Sequence, residues 1–209
     1  MAYRETEKMR QRKAEARQRI IDSTFRCVLD GGFRNARITR IADLAGVATG
    51  TIYRHFDSRE ELFAGVFRLA TQREVDKVAE ALATSGNAAT RLETALRQFA
   101  ERALRGPMMA WSLIAEPVDP KVEEERLEYR KAYADLFEKA IREGIDEGSL
   151  PEQDARQSST CLVGAIAESL VGPLSPTQAG QNPAPKTDND LLIDSIIRFC
   201  MQGLTGTRR

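Results

Sequence analysis

Histidine is almost missing from this 209-residue chain: His55 is the only one. That excludes Ser-His-Asp and Cys-His arrangements away from His55, and it excludes the His/Cys spacing of a zinc site. No Gly-rich phosphate loop occurs. The cysteines are three, Cys27, Cys161 and Cys200, odd in number and far apart, so no disulfide framework is implied. No apolar run approaches the roughly 20 residues that span a bilayer, and the charged N-terminus has no apolar core behind it. Carboxylates alone could still build a hydrolytic site, but the run Glu123-Glu124-Glu125 reads as a solvated helix start favoured by the helix dipole. The expectation is a cytoplasmic protein that is not an enzyme and has no cofactor, no metal and no membrane partner. Its thiols are expected reduced, with Cys161 and Cys200 as small buried side chains on apolar helix faces.

What is present is a globular composition, 42% hydrophobic and 30% charged, in a chain long enough for a substantial core. The formal net charge is zero, but it is unevenly placed. Residues 1–60 carry 13 Lys/Arg against 8 Asp/Glu, or +5, and residues 61–209 carry 18 against 23, or −5. A basic first third suits a polyanion at that end.

The stretch ITRIADLAGVATGTIYRHF, residues 38–56, explains where the positive end is used. Thr39 is read as a helix cap, with Ile41, Leu44 and Ala45 on one face. Gly46 stops that helix, because glycine tolerates the positive φ of a tight turn. Thr49 is read as a second cap, and the chain runs on to Phe56. Two short helices around Gly46-Val47-Ala48 have helix-turn-helix spacing. Outward on the second stand Thr49, Gly50, Thr51, Tyr53, Arg54 and His55, donors without a carboxylate among them, a face suited to phosphates and base edges. The bland alternative for His55 is a core or capping histidine.

These residues, followed by D-S-R-E-E-L-F, resemble the DNA-binding domain of the TetR family of transcriptional regulators, over roughly residues 14 to 65. Ala48 departs from the polar residue that the family more often carries there. The resemblance implies DNA contacts at Thr39, Arg40, Thr49, Gly50, Thr51, Tyr53, Arg54, His55 and Arg59. It implies phosphate contacts for Tyr53 and His55, and proximity to base edges for Thr49, Gly50, Thr51, Arg54 and Arg40. Arginine at either of the last two can grip a guanine with two hydrogen bonds.

Elsewhere the periodicity predicts helices throughout and no strand: an all-α chain of about nine helices. Residues 1–13, with Arg4, Lys8, Arg10, Arg12 and Lys13, read as a polar tail or a basic arm ordered on DNA. Helix follows at about 13–30, with Ile20, Ile21, Thr24, Phe25, Val28 and Leu29 as its stripe. Ser58 and Glu61 form a capping box that opens a helix to about residue 83. Further helices are predicted at 88–105, at 108–115, from Pro120 (capped by Asp119) towards Gly148, at 152–171 and at 188–203, with a loop over 172–187. The expected organisation is an arm and helix-turn-helix head at 1–57, a connecting helix at 58–83 and an effector-binding and dimerisation domain at 84–209.

Phe99, Met108, Trp111, Tyr129, Tyr133 and Phe137 are candidates to line an effector cavity, with Glu116 or Glu168 as polar anchors. Glu168 interrupts an apolar run, so it must be exposed, paired or protonated, and it could anchor a cationic or hydroxylated ligand or bond across a dimer interface. The resemblance implies a homodimer built from the last two long helices, where the small residues Ser159, Gly164 and Ala167 permit close approach. It implies double-stranded DNA with a palindromic operator as partner, and a small-molecule effector that releases a repressor. The alternatives are a regulator of the same kind without a small-molecule ligand, or an activator using the same head.

Overall fold

In the computed structural model of the chain, which describes residues 7–176 and 186–206, nine helices and no strand are found among the described residues. They are α1 (Glu7–Asn35), α2 (Ile38–Ala45), α3 (Thr49–Ile52), α4 (Arg59–Leu82), α5 (Ala88–Arg105), α6 (Pro107–Ile114), α7 (Pro120–Asp146), α8 (Ala155–Leu174) and α9 (Lys186–Thr205). The start of the basic tail, residues 1–6, and residues 177–185 of the expected loop lie outside the described residues.

Several boundaries differ from expectation, for local reasons. α1 begins at Glu7 rather than near Lys13. Its first turns bury nothing, so they carry no apolar period. They consist of straight-chain helix formers tied by Glu7–Arg10 and Gln11–Glu15 contacts. Thr39 and Thr49 are not caps: the capping positions fall to Arg37 and Ala48, neither of which offers a side-chain bond. Ser58 does cap α4, its hydroxyl accepting from the Glu61 N–H at 3.1 Å, but the Glu61 carboxylate turns to Arg68 and Lys121 instead of closing the box. α8 runs three residues past its expected end, through Pro173, which forgoes the N–H bond to the carbonyl one turn back and stands one residue before the helix end.

Leu44 is exposed and Ala42 is buried in its place, and Leu29 and Leu127 are exposed as well. Cys200 is buried, whereas Cys161 is exposed, contrary to expectation.

Two apolar cores organise the chain. The first gathers α1, α2 and α3 around Ile20, Val28, Ile41, Ile52, Phe63 and Phe67. It does not close at residue 57: Val122 is fully buried in it, and Met109, Leu113 and Tyr129 pack against it from α6 and α7. The second core joins α5, α7, α8 and α9. Helix α4 belongs to both, with Leu62 to Phe67 in the first and Val78 to Leu82 in the second. Its 24 residues reach about 36 Å.

A buried ionic joint fastens the first core to the body. α1 breaks at Gly31-Gly32, where Gly32 takes φ 75° and ψ 177°. Both oxygens of Glu116, just beyond α6, accept backbone N–H groups there, from Phe33 and Arg34, each at 2.9 Å. Buried Arg126 on α7 donates to the carbonyl oxygens of Leu113 (3.1 Å) and Glu116 (2.7 Å), and its guanidinium lies over the Phe67 ring. Desolvation lowers the pKa of Arg126 from its ordinary value, with Glu123 opposing.

Candidate nucleic-acid interface and effector cavity

Gly46 supplies the left-handed turn between α2 and α3 (φ 65°), its N–H and that of Val47 closing onto the Asp43 and Ala42 carbonyls. Ile41, Ala42, Ala45 and Ile52 anchor the two helices inward. The opposite face is therefore fixed: Thr39, Arg40, Thr49, Gly50, Tyr53, Arg54 and Arg59 are exposed, and Thr51 and His55 are half-buried. A Cβ added at Gly50 would meet nothing within 4 Å, so no neighbour in the chain requires glycine there. Two of the nine candidates are already engaged. Arg40 pairs with Asp30 at 2.7 Å, and the Arg59 guanidinium lies 4.7 Å from the centre of the Phe63 ring.

The structure adds Arg17, which the sequence did not single out, and sets Lys13 of the basic arm with it. His55 has its pKa lowered first by burial, then by Lys13 and Arg17 of α1, so α1 brings positive charge to the same face. Arg17 also stacks on Phe56 at 4.8 Å. The fields of these α1 side chains could not be assigned from a helix-turn-helix pattern that begins at residue 38.

If Tyr53 and His55 hold phosphates, Tyr53→Phe combined with His55→Ala lowers affinity for all DNA sequences about equally. The proton linkage sharpens this. In the free protein His55 titrates below its usual range, and an adjacent phosphate raises that value, so the complex binds more protons. Wild-type affinity therefore rises as pH falls from 8 to 6, and His55→Ala loses the rise and flattens the salt dependence by about one counterion. Loss confined to a single base position, or an unchanged pH profile, would sink the assignment.

Behind the head, α4 to α8 enclose a cavity of about 170 Å³, apolar over most of its wall. Phe99, Tyr129, Tyr133 and Phe137 line it, as the spacing suggested. Met108, Trp111, Glu116 and Glu168 do not. Met109, one residue on and about 100° around α6, faces the cavity instead of Met108, and Trp111 packs on the second core. Glu116 is spent on the α1 joint. Glu168 is exposed in an adjoining groove with Arg130, Lys131 and Arg156. Phe67, Thr71 and Glu74 of α4 and Arg102 of α5 also line the cavity. Sequence periodicity identified α4 as an inward-facing helix but not which of its inward residues border empty space.

Among the described residues no helix is long and apolar enough to cross a membrane, and no group of three or more His, Cys, Asp or Glu could hold a metal.

Two short helices about a left-handed glycine, the second with no carboxylate on its outward face, and a helical body behind them, define a helix-turn-helix DNA-binding regulator. The profile of "Bacterial regulatory proteins, tetR family" matches residues 20–66. The chain is 23% identical over 165 residues to the fatty acid metabolism regulator protein of Bacillus subtilis, across 78% of this chain and 84% of that one. Over 48 residues it is 42% identical to the transcriptional repressor KstR of Mycobacterium tuberculosis, covering 23% of this chain and 22% of that one. The crystal structure of the regulator FadR from Bacillus subtilis in complex with stearoyl-CoA superposes with a TM-score of 0.73 at 21% identity, over 90% of this chain and 98% of that one. Residues 20–66 are thus a DNA-binding domain of the tetR regulatory family, and the rest of the chain shares the all-α fold of the FadR regulator.

Proposed function

We propose that this regulator is a cytoplasmic homodimeric repressor, released from a palindromic operator when an apolar, acyl-type effector fills the cavity. The observation that carries this reading is the position of α4. Its first half is packed into the DNA-binding head, and Phe67, Thr71 and Glu74 of the same helix wall the cavity. An occupant that shifts α4 re-spaces the two heads of a dimer, which must sit about 34–36 Å apart to enter successive major grooves. A hollow body favours this over regulation without a ligand. The acyl class is supported by the apolar wall and by the stearoyl-CoA bound to the FadR relative. Arg130 and Lys131, in the groove that adjoins the cavity, are cations available to an anionic headgroup, whereas Arg156 there is paired with Asp135 and Glu138.

The proposed dimer uses α8 and α9. Leu191, Ser195, Phe199 and Gly203 form one exposed stripe along α9, and Cys161, Gly164 and Glu168 one along α8. Ser159 is fully buried within its own chain and so is not part of that face. Ala167 lies at the cavity, whereas Gly164 has open space where a Cβ would stand.

The test is selection from random-sequence DNA in moderate salt, followed by titration of the selected site with and without stearoyl-CoA. A palindrome is expected, with operator and stearoyl-CoA weakening each other by the same factor. Operator affinity and melting temperature that both ignore stearoyl-CoA would contradict the release mechanism.

A further inference from the structure

One wall of the cavity is polar, and its groups are incompletely bonded. Thr71 and Glu74 lie one turn apart on α4, facing Arg102 of α5 and Tyr133 of α7. The Arg102 Nε donates to Glu74 at 2.9 Å, but its Nη2 is buried and has no partner. The Thr71 hydroxyl, in a residue 4% exposed, is likewise buried without a partner. Tyr133 stands edge-on to Phe99 at 5.8 Å. Its hydroxyl makes no hydrogen bond among the described residues and feels the charges of Glu74 and Arg102, with burial raising its pKa well above the usual range. Buried donors are rarely left unpaired, because each loses its water without replacement.

We propose that this wall receives a neutral carbonyl oxygen of the effector (a thioester, ester or ketone on an apolar chain) through Thr71, Arg102 and Tyr133. This rests on the reading that the cavity binds an effector, and it names the group by which the effector is recognised. All three donors border the same cavity, and a carbonyl oxygen with two lone pairs can accept from two of them. Charge at this wall disfavours a carboxylate, although Arg126 and Arg130 also line the cavity. The positive charge of Arg102 is already offset by Glu74, so a free acid would bring a second anion against Glu74 in a poorly solvated site. A carbonyl uses the donors without that repulsion. Thr71 is on the helix that enters the head, so the bonded oxygen touches the transmitting element itself.

The test measures binding of octane, 2-octanone and octanoate at pH 8 to the full-length protein and to its Thr71→Val and Tyr133→Phe variants. In wild type, 2-octanone is expected to bind about tenfold more tightly than octane or octanoate. Each variant narrows the advantage of the ketone over octane and leaves octane affinity unchanged. Equal affinity for octane and 2-octanone, or a preference for octanoate, overturns the carbonyl site while leaving the apolar cavity reading intact. No binding of any of the three to the folded protein overturns the cavity reading, and this proposal with it.

Discussion

Gly32→Ala is expected to lower the melting temperature by roughly 10 °C. Two independent costs coincide. With φ 75° and ψ 177° the residue lies in a region that only glycine occupies comfortably, worth about 1–3 kcal/mol against a side chain. An added Cβ would also stand 2.5 Å from the Glu116 Oε1 and 2.7 Å from its Oε2. The carboxylate cannot yield without releasing the N–H groups of Phe33 and Arg34, and hydrogen bonds to a charged group contribute about 1.5–3 kcal/mol. The sum, about 2.5–6 kcal/mol, is a large share of a domain's stability. Glu116→Gln separates the two costs, since it relieves no backbone strain but replaces one acceptor by a donor facing an N–H. It should show a smaller loss than Gly32→Ala. A Gly32→Ala melt within a degree or two of wild type would refute the account of the joint.

That joint also shows where sequence reading stops. The helix-turn-helix was legible because everything that defines it is local: a glycine at the turn, apolar residues at helical spacing, a polar outward face, and Ser58 three residues before Glu61. Asp119 before Pro120 was legible on the same ground. Glu116 was not, because its partners lie 82 and 83 residues earlier in the chain and are backbone groups, which carry no sequence signal. A lone glutamate after an apolar helix reads equally well as a ligand anchor. Arg126 was missed for the mirror-image reason: it lies in a charged run that looks solvated, yet it is buried on the carbonyl oxygens of the turn after α6. The cavity was half legible. Periodicity reports which helix faces point inward, and Phe99, Tyr133 and Phe137 do. Whether an inward face meets another side chain or a void depends on how neighbouring helices roll, and a rotation of one residue on α6 exchanges Met108 for Met109.

Replacing Leu191 and Phe199 together by glutamate is expected to leave the protomer folded, abolish the dimer, and weaken operator binding a hundredfold or more. The two side chains are 63% and 68% exposed, so the protomer gains little from them. Large apolar groups left in water along one stripe of a helix are what an association surface requires. In a two-fold interface each substitution acts twice, once from each protomer, and four carboxylates would be brought together where burial of a large apolar side chain contributes about 1.5–3 kcal/mol. The effect on DNA is larger than the effect on any head residue because it removes tethering. A dimer binds its second half-site as an intramolecular step, and avidity of that kind is worth about 10²–10⁴ in affinity with no new contact. The expected pattern is therefore specific: a monomer in sedimentation, an unchanged helical spectrum, weak residual affinity for a single half-site, and loss of the advantage of a palindrome over that half-site. A variant that remains dimeric and binds the palindrome as wild type does would place the interface on another face. A variant that is monomeric yet keeps full palindrome affinity would instead separate dimerisation in solution from assembly on DNA.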